Sequence, residues 1–173
     1  MTYLNKILYQ LLKLLPQSIV KIFSRRYIAG FDFNETIEIC KNLNSQGFLL
    51  TLDILGEHTK TQAEVEKVTH MYQNLLKTIH TDKIKANISI KPTHIGCDIS
   101  FSLFENNLKI LADTAKRYSN FIRIDMENSK ITEDTLKAYN NISKTHSNVG
   151  IVLQSYLIRT FQDLKNLDNS RLN

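Results

Sequence analysis

The sequence predicts an α/β protein that forms a partial (β/α)8 barrel of the TIM type, with about four βα units preceded by N-terminal helices. Short runs rich in leucine and β-branched residues alternate with segments in which apolar residues recur every three or four positions. The runs return at intervals of about 30 to 40 residues, as parallel strands joined by right-handed helical crossovers do. No GxGxxG motif follows a predicted strand, so the barrel is favoured over an open dinucleotide-binding sheet.

Composition limits the classes of protein to which the chain can belong. Its 173 residues are 42% hydrophobic and 23% charged, which suits one globular core. The net charge of +5 is spread along the chain and forms no basic patch, so no nucleic-acid partner is expected. Cys40 and Cys97 lie far apart without a CxxC motif, which indicates buried free thiols in a reducing, cytoplasmic setting.

The N-terminal part is predicted to be a separate helical segment over residues 1–45, followed by the incomplete barrel over residues 46–173. Apolar side chains at helical spacing alternate with lysines and arginines through residues 1–30, which predicts a pair of basic amphipathic helices that meet near Pro16. No apolar run reaches the roughly 18 residues of a membrane-spanning helix, and no signal-peptide cleavage site follows. The helices either pack on the barrel or contact an anionic membrane surface.

Four strands and four following helices are predicted in order. The strands cover residues 48–55, 86–91, 121–127 and 149–154. The first helix covers about residues 59–80, the second about 103–118, and a last short helix begins near Thr160. The third helix is predicted to begin with Thr132 as its N-cap. The apolar stripe of the first helix predicts a buried set: Val65, Val68, Met71, Tyr72, Leu75 and Ile79.

Polar side chains at the C-terminal ends of these strands indicate a functional site, because that edge of a parallel barrel carries its chemistry. Lys91 continues the strand face of Asn87 and Ser89, and can offer its charge to a substrate carboxylate or to an acidic partner such as Asp125. A structural ion pair between Lys91 and Asp125 is the alternative.

Other polar residues near these strand ends have less specific roles. Glu127 either contributes to the site, caps the next helix or pairs with Arg123. The histidines lack metal-ligand spacing, so no metal is expected, and only His94 lies near the proposed site.

Four blocks carry a resemblance to a known family. They are TLDILGE at residues 51–57, SIKPTHIG at 89–96, IDME at 124–127 and VGIVLQSYLIRT at 149–160. In order and spacing they resemble the monofunctional bacterial proline dehydrogenases, over nearly all of residues 25–165. The resemblance implies a distorted (β/α)8 barrel that binds FAD and oxidises L-proline to Δ1-pyrroline-5-carboxylate.

The same resemblance implies roles for individual residues. Lys91 is expected beside the proline, Asp125 as the acidic active-site residue, and Met126 and Gln154 against the flavin. It also implies a quinone electron acceptor, which would give the basic N-terminus a role in peripheral contact with the inner face of the membrane.

The sequence departs from the family after these blocks. Family members continue with a strand reading RLVKGAY, whose arginine lies at flavin N5, and with a YxxRR helix that holds the proline carboxylate. Only Arg171 is a candidate for the first arginine, at a shorter spacing from Gln154 than in the family. We therefore expect a C-terminally truncated member with weak FAD binding and low turnover, whose open barrel edges favour a homodimer. The alternatives are a non-catalytic half-barrel module and a barrel enzyme acting on a phosphorylated small molecule.

Overall fold

The computed structural model describes Pro16, residues 28–30 and residues 32–167. The predicted N-terminal helix pair falls almost entirely outside these residues. The chain divides into two compact units, Met1–Phe48 and Leu49–Asn173. In the first unit, helix α1 (Phe33–Ser45) begins after Asp32, whose carboxylate accepts the backbone N–H of Glu35 at 2.9 Å. This bond satisfies one of the free donors at the helix start.

The second unit alternates strands with helices. Its elements are β1 (Leu50–Leu52), α2 (Gln62–Thr81), β2 (Ala86–Ile90), α3 (Phe101–Arg117), β3 (Ile122–Ile124), α4 (Thr132–Ser143), β4 (Val149–Ile151) and α5 (Thr160–Asn166). Neighbouring strands are parallel and follow the order β1-β2-β3-β4. A strictly sequential order is that of a barrel wall, because a doubly wound sheet reverses its order at a switch point. The predicted partial barrel of four βα units is confirmed.

The two faces of this sheet differ in chemistry. The face packed into the core is apolar, and Ile88, Ile90, Ile122 and Ile124 on β2 and β3 are all fully buried. The opposite face carries polar side chains, because strand residues alternate in direction. Register pairs Thr51 with Asn87 and Ser89 with Arg123 on that face. The face that would line a barrel interior is therefore polar up to the C-terminal edge of the strands.

Three of the predicted strands are several residues longer than the strands in the structure. The strand predicted over residues 48–55 is ordered as a strand only over Leu50–Leu52, and Phe48 and Leu49 are 56% and 80% exposed. The strands predicted over residues 121–127 and 149–154 also have only three residues each. A run of apolar residues does not reveal where pairing with the neighbouring strand stops. The prediction for Cys40 and Cys97 is confirmed, since both are buried free thiols.

Two helix predictions were wrong in detail. Met71 is 42% exposed because it lies at the margin of the apolar stripe of α2, whereas the other predicted core residues of that helix are buried. Thr132 is not the N-cap of α4, because the cap position is Ile131, which makes no side-chain cap bond. The Thr132 hydroxyl instead donates to the carbonyl oxygen of Asn128 at 3.0 Å, within the preceding loop.

Candidate functional site

A charged cluster forms where β1, β2 and β3 end. The Lys91 ammonium, just after β2, donates to Asp53 Oδ2, just after β1, at 2.9 Å, and the two side chains are 25% and 32% exposed. Asp125 follows β3 and continues the ladder, since its backbone N–H donates to the Ile90 carbonyl at 2.9 Å. The strand order therefore places Lys91 between Asp53, which follows β1, and Asp125, which follows β3.

The direct partner of Lys91 is Asp53, so the suggestion that Asp125 pairs with it was wrong. Asp125 Oδ1 instead accepts the Ser89 hydroxyl at 2.5 Å, and Asp125 acts on Lys91 only through its charge. The hydrogen bond that Lys91 donates to Asp53 is the largest influence on the pKa of the ammonium and raises it, against the smaller lowering effect of burial. Lys91 is held in its charged form at the strand edge.

A buried tyrosine supports the carboxylate that binds Lys91. The Tyr72 hydroxyl, on α2, donates to Asp53 Oδ1 at 2.9 Å and accepts the Ile54 backbone N–H at 3.3 Å. Tyr72 is fully buried, and desolvation is the main cause that raises the pKa of its phenol. The phenol therefore remains a neutral donor, and the two Asp53 oxygens are divided between Tyr72 and Lys91.

Glu127 joins three loops at this edge. Its carboxylate accepts the Thr93 backbone N–H at 2.9 Å and the Thr93 hydroxyl at 2.8 Å. The Thr93 carbonyl in turn accepts the Thr59 N–H at 3.2 Å and the Thr59 hydroxyl at 2.9 Å. Thr93 lies in a buried 3-10 turn, Pro92–Ile95, that begins directly after Lys91. Glu127 thus neither caps α4 nor pairs with Arg123, because both of its oxygens bind the turn that follows Lys91.

His94 packs closely against Gly56 in the loop that follows β1. It is buried, its Nδ1 atom has no hydrogen-bond partner, and desolvation lowers the pKa of its imidazole. A Cβ atom at Gly56 would lie 2.4 Å from His94 Nε2, so only glycine permits this approach. A cavity of about 520 Å³ opens nearby, lined by residues 54–60, by α2 and by His94. Of the predicted site residues that lie within residues 32–167, none lines it.

Gln154 and Met126, two further predicted site residues, form a second pair. The Gln154 side-chain amide, after β4, donates to the Met126 carbonyl at 2.8 Å, so the loops after β3 and β4 are joined. Met126 itself is buried. Arg171 lies outside the described residues. Within the described ranges, no group of three or more histidine, cysteine, aspartate or glutamate side chains could hold a metal ion.

Sequence reasoning missed Asp53, Ser89 and Thr93 as parts of this site. The signal for Asp53 was present, because it follows an apolar strand in the same way as Asp125. Ser89 lies two residues before Lys91 on the same strand face. Nothing in the sequence indicated that Thr93 would be the acceptor of the Thr59 bonds and the donor to Glu127, because this depends on loop packing.

Comparison with known proteins shows the family to which the chain belongs. The model of the family described as proline dehydrogenase matches residues 36–170. The chain belongs to the proline dehydrogenase family. Proline dehydrogenase 2 of Bacillus subtilis is 32% identical over 149 residues, which are 86% of this chain and 49% of that protein. Proline dehydrogenase of Deinococcus radiodurans is 30% identical over 155 residues, which are 87% of this chain and 50% of that protein.

This proline dehydrogenase family chain therefore spans about half the length of the curated relatives that it matches. Among solved structures, proline utilization A from Bdellovibrio bacteriovorus, inactivated by N-propargylglycine, has a TM-score of 0.78 at 22% identity, over 87% of this chain and 19% of that one. Proline utilization A from Corynebacterium freiburgense has a TM-score of 0.67 at 24% identity, over 78% and 15% of the two chains. These structures support the barrel fold.

The Glu127 bonds yield a test of stability. Glu127→Ala leaves two buried Thr93 donors without an acceptor, so we expect the free energy of unfolding to fall by about 1 to 3 kcal/mol. In Glu127→Gln, the amide oxygen can accept the Thr93 N–H while its NH2 donates to the Thr93 hydroxyl, so most of the stability should remain. Urea unfolding measures both. Glu133→Ala, at an exposed position, is the control, and equal losses in the Ala and Gln variants would contradict this account.

Two histidines should affect the pH dependence of stability in opposite directions. Burial lowers the pKa of His94 below its value of 6.5 in the unfolded chain, so its contribution is present above pH 6.5 and is lost as pH falls through the lowered pKa. The Asp98 hydrogen bond at 2.6 Å raises the pKa of His58, so its contribution is present below pH 6.5 and is lost as pH rises through the raised pKa.

We therefore expect His94→Gln to weaken the loss of stability as pH falls below 6.5, and His58→Gln to weaken the loss of stability as pH rises above 6.5 through the raised pKa of His58. Urea titrations at a series of pH values measure both slopes. Parallel pH profiles for the two variants would be inconsistent with the opposite pKa shifts.

Proposed function

We propose that this chain supplies the FAD-binding and proline-binding strand ends of an enzyme that oxidises L-proline to Δ1-pyrroline-5-carboxylate. One observation carries the proposal beyond family membership. Lys91 and Asp125 stand side by side on neighbouring strands at the C-terminal edge of the sheet, and Gln154 follows the next strand. A cation, a carboxylate and an amide at this edge match the needs of an amino-acid substrate and a polar ring system.

The hydrogen-bonding groups at this edge fit a flavin. The Lys91 ammonium has three N–H donors, of which the bond to Asp53 uses one. Among the described residues, the Gln154 side-chain oxygen has no bonded partner, and Asn87 Oδ1 is buried without one on the same polar face. Donors and acceptors are thus both available, and the edge of an isoalloxazine ring presents both kinds of group. We propose that Met126 and Gln154 hold the flavin.

The protein residues would divide the remaining work. Bound FAD supplies the chemistry of accepting a hydride from the carbon next to the proline nitrogen. Lys91, kept charged by Asp53, attracts the substrate carboxylate and orients the ring. Asp125 keeps one oxygen that Ser89 does not use, which can accept a hydrogen bond from the substrate nitrogen. Arg171 stays a proposal from the sequence resemblance as a residue near the flavin.

Membership of the family does not favour the alternative of a barrel enzyme acting on a phosphorylated small molecule. The quinone acceptor and the peripheral membrane contact are further proposals that depend on the resemblance and on the basic N-terminal pattern. Within the described part of the chain, no helix combines the length and the apolar character required to cross a membrane.

Flavin binding and turnover test the proposed function. We expect FAD to bind weakly to the chain expressed alone, with flavin fluorescence quenched at high FAD concentration, and dye reduction with L-proline to be slow. Lys91→Met should weaken FAD or proline-analogue binding about tenfold, because a charge-assisted hydrogen bond contributes roughly 1.5 kcal/mol or more. Lys130→Met, which removes a lysine from the loop after β3, is the matched control. Absence of quenching at saturating FAD, or equal binding by the Lys91 and Lys130 variants, would refute the proposal.

We also propose a homodimer through the open edges of the sheet. Within the described residues, β1 and β4 each pair on one side only, and the segment after β4 exposes Ile158 fully and Phe161 at 67%. Sedimentation equilibrium should give twice the chain mass. The double variant Ile158→Lys and Phe161→Lys should shift it to one chain mass, whereas Ile110→Lys, at an exposed apolar position on α3, should not. A mass of one chain for the unaltered protein would contradict the proposed dimer.

A further inference from the structure

The phenol of Tyr72, on the buried stripe of α2, is not explained by core packing. The apolar spacing of α2 accounts for the burial of the ring, and a phenylalanine would fill the same position. A buried hydroxyl is costly unless it is bonded, and this one donates to Asp53 at 2.9 Å. Its acceptor is the carboxylate that binds Lys91.

We propose that Tyr72 is a positioning residue that acts on Lys91 through Asp53. Tyr72 and Lys91 do not bond each other; each binds a different oxygen of the same carboxylate. Asp53 lies directly after the end of β1, outside the hydrogen-bonded ladder of the sheet. With one oxygen fixed by the rigid helix α2, the other is directed at Lys91. An effect of Tyr72 on catalysis rests on the proposed function, whereas its effect on Lys91 does not.

The same arrangement explains why the support comes from a helix and not from the neighbouring strand. Ser89, which lies on the face of Lys91, is already bonded to Asp125. The Tyr72 hydroxyl also accepts the Ile54 N–H at 3.3 Å, so the phenol fixes the backbone that follows Asp53 as well as its side chain. Such a two-point hold is what preorganises a charged group at a site, because its rotamer is then selected by its surroundings.

The charge state of Lys91 provides a readout that does not require activity. The groups that influence it are Asp53 and Glu57 after β1, Asp125 after β3, and His94 on the turn that follows Lys91; burial lowers the pKa of His94. Only neutral amines react with acetic anhydride, so the rate of trace acetylation at Lys91, measured by peptide mass spectrometry, follows its neutral fraction.

We expect Asp53→Asn to speed acetylation of Lys91 at pH 8 about tenfold, since loss of an adjacent opposite charge lowers a lysine pKa by one unit or more. Tyr72→Phe should speed it about threefold, because Asp53 then rotates and holds Lys91 only part of the time. In the Asp53→Asn background, Tyr72→Phe should add nothing. Tyr118→Phe, at the end of α3, is the control and should leave the rate unchanged.

An unchanged or slower rate of Lys91 acetylation in Tyr72→Phe overturns the proposal. An equal increase caused by Tyr72→Phe in the Asp53→Asn background also overturns it. If Tyr72→Phe does not fold, 3-fluorotyrosine placed at position 72 keeps the phenol. Its fluorine resonance should then shift on Lys91→Met, but not when Asp53→Asn is also present, and the absence of any shift on Lys91→Met overturns the proposal. FAD binding enters none of these measurements, so the proposed function and this inference can fail independently.

Discussion

The parallel register of β2 with β1 and β3 is the constraint on which the candidate site depends. Because side chains alternate along a strand, a slip of one residue would turn Lys91 toward the core and an isoleucine toward the polar face. The fully buried isoleucines of β2 and β3 oppose that slip, since each would have to leave the core. Apolar packing on one face thus determines which charged groups meet on the other.

Hydrogen bonds outside the sheet then fix the groups that the register brings together. Tyr72 acts from α2 on the carboxylate beside Lys91, and Glu127 acts from the loop after β3 on the turn that follows Lys91. Lys91 is therefore supported from both neighbouring strands. After β1, Asp53 binds its ammonium, and after β3, Glu127 binds the backbone turn that follows it. A single cation held in this way keeps its position and its charge without being fully buried.

The polar inner face distinguishes this sheet from an apolar barrel wall. Thr51, Asn87, Ser89 and Arg123 occupy positions that a packed barrel interior commonly fills with branched apolar residues. Such a face gains little from burial and is better suited to contact polar ligand groups. This agrees with membership of the proline dehydrogenase family and with the proposal that a flavin and an amino acid lie at the strand ends.

The sequence by itself determined the alternation of strands and helices, the apolar stripe of α2 and the polar residues that end each strand. These features are local, since they depend on periodicity and on residue type. The four ordered blocks also sufficed to indicate the family. Only the tertiary structure decided that Lys91 pairs with Asp53 rather than Asp125, that Glu127 holds Thr93, and that Tyr72 does more than fill the core. The choice of hydrogen-bond partner depends on the register between strands and on the packing of a helix against them. Neither can be read from the spacing of residues along the chain.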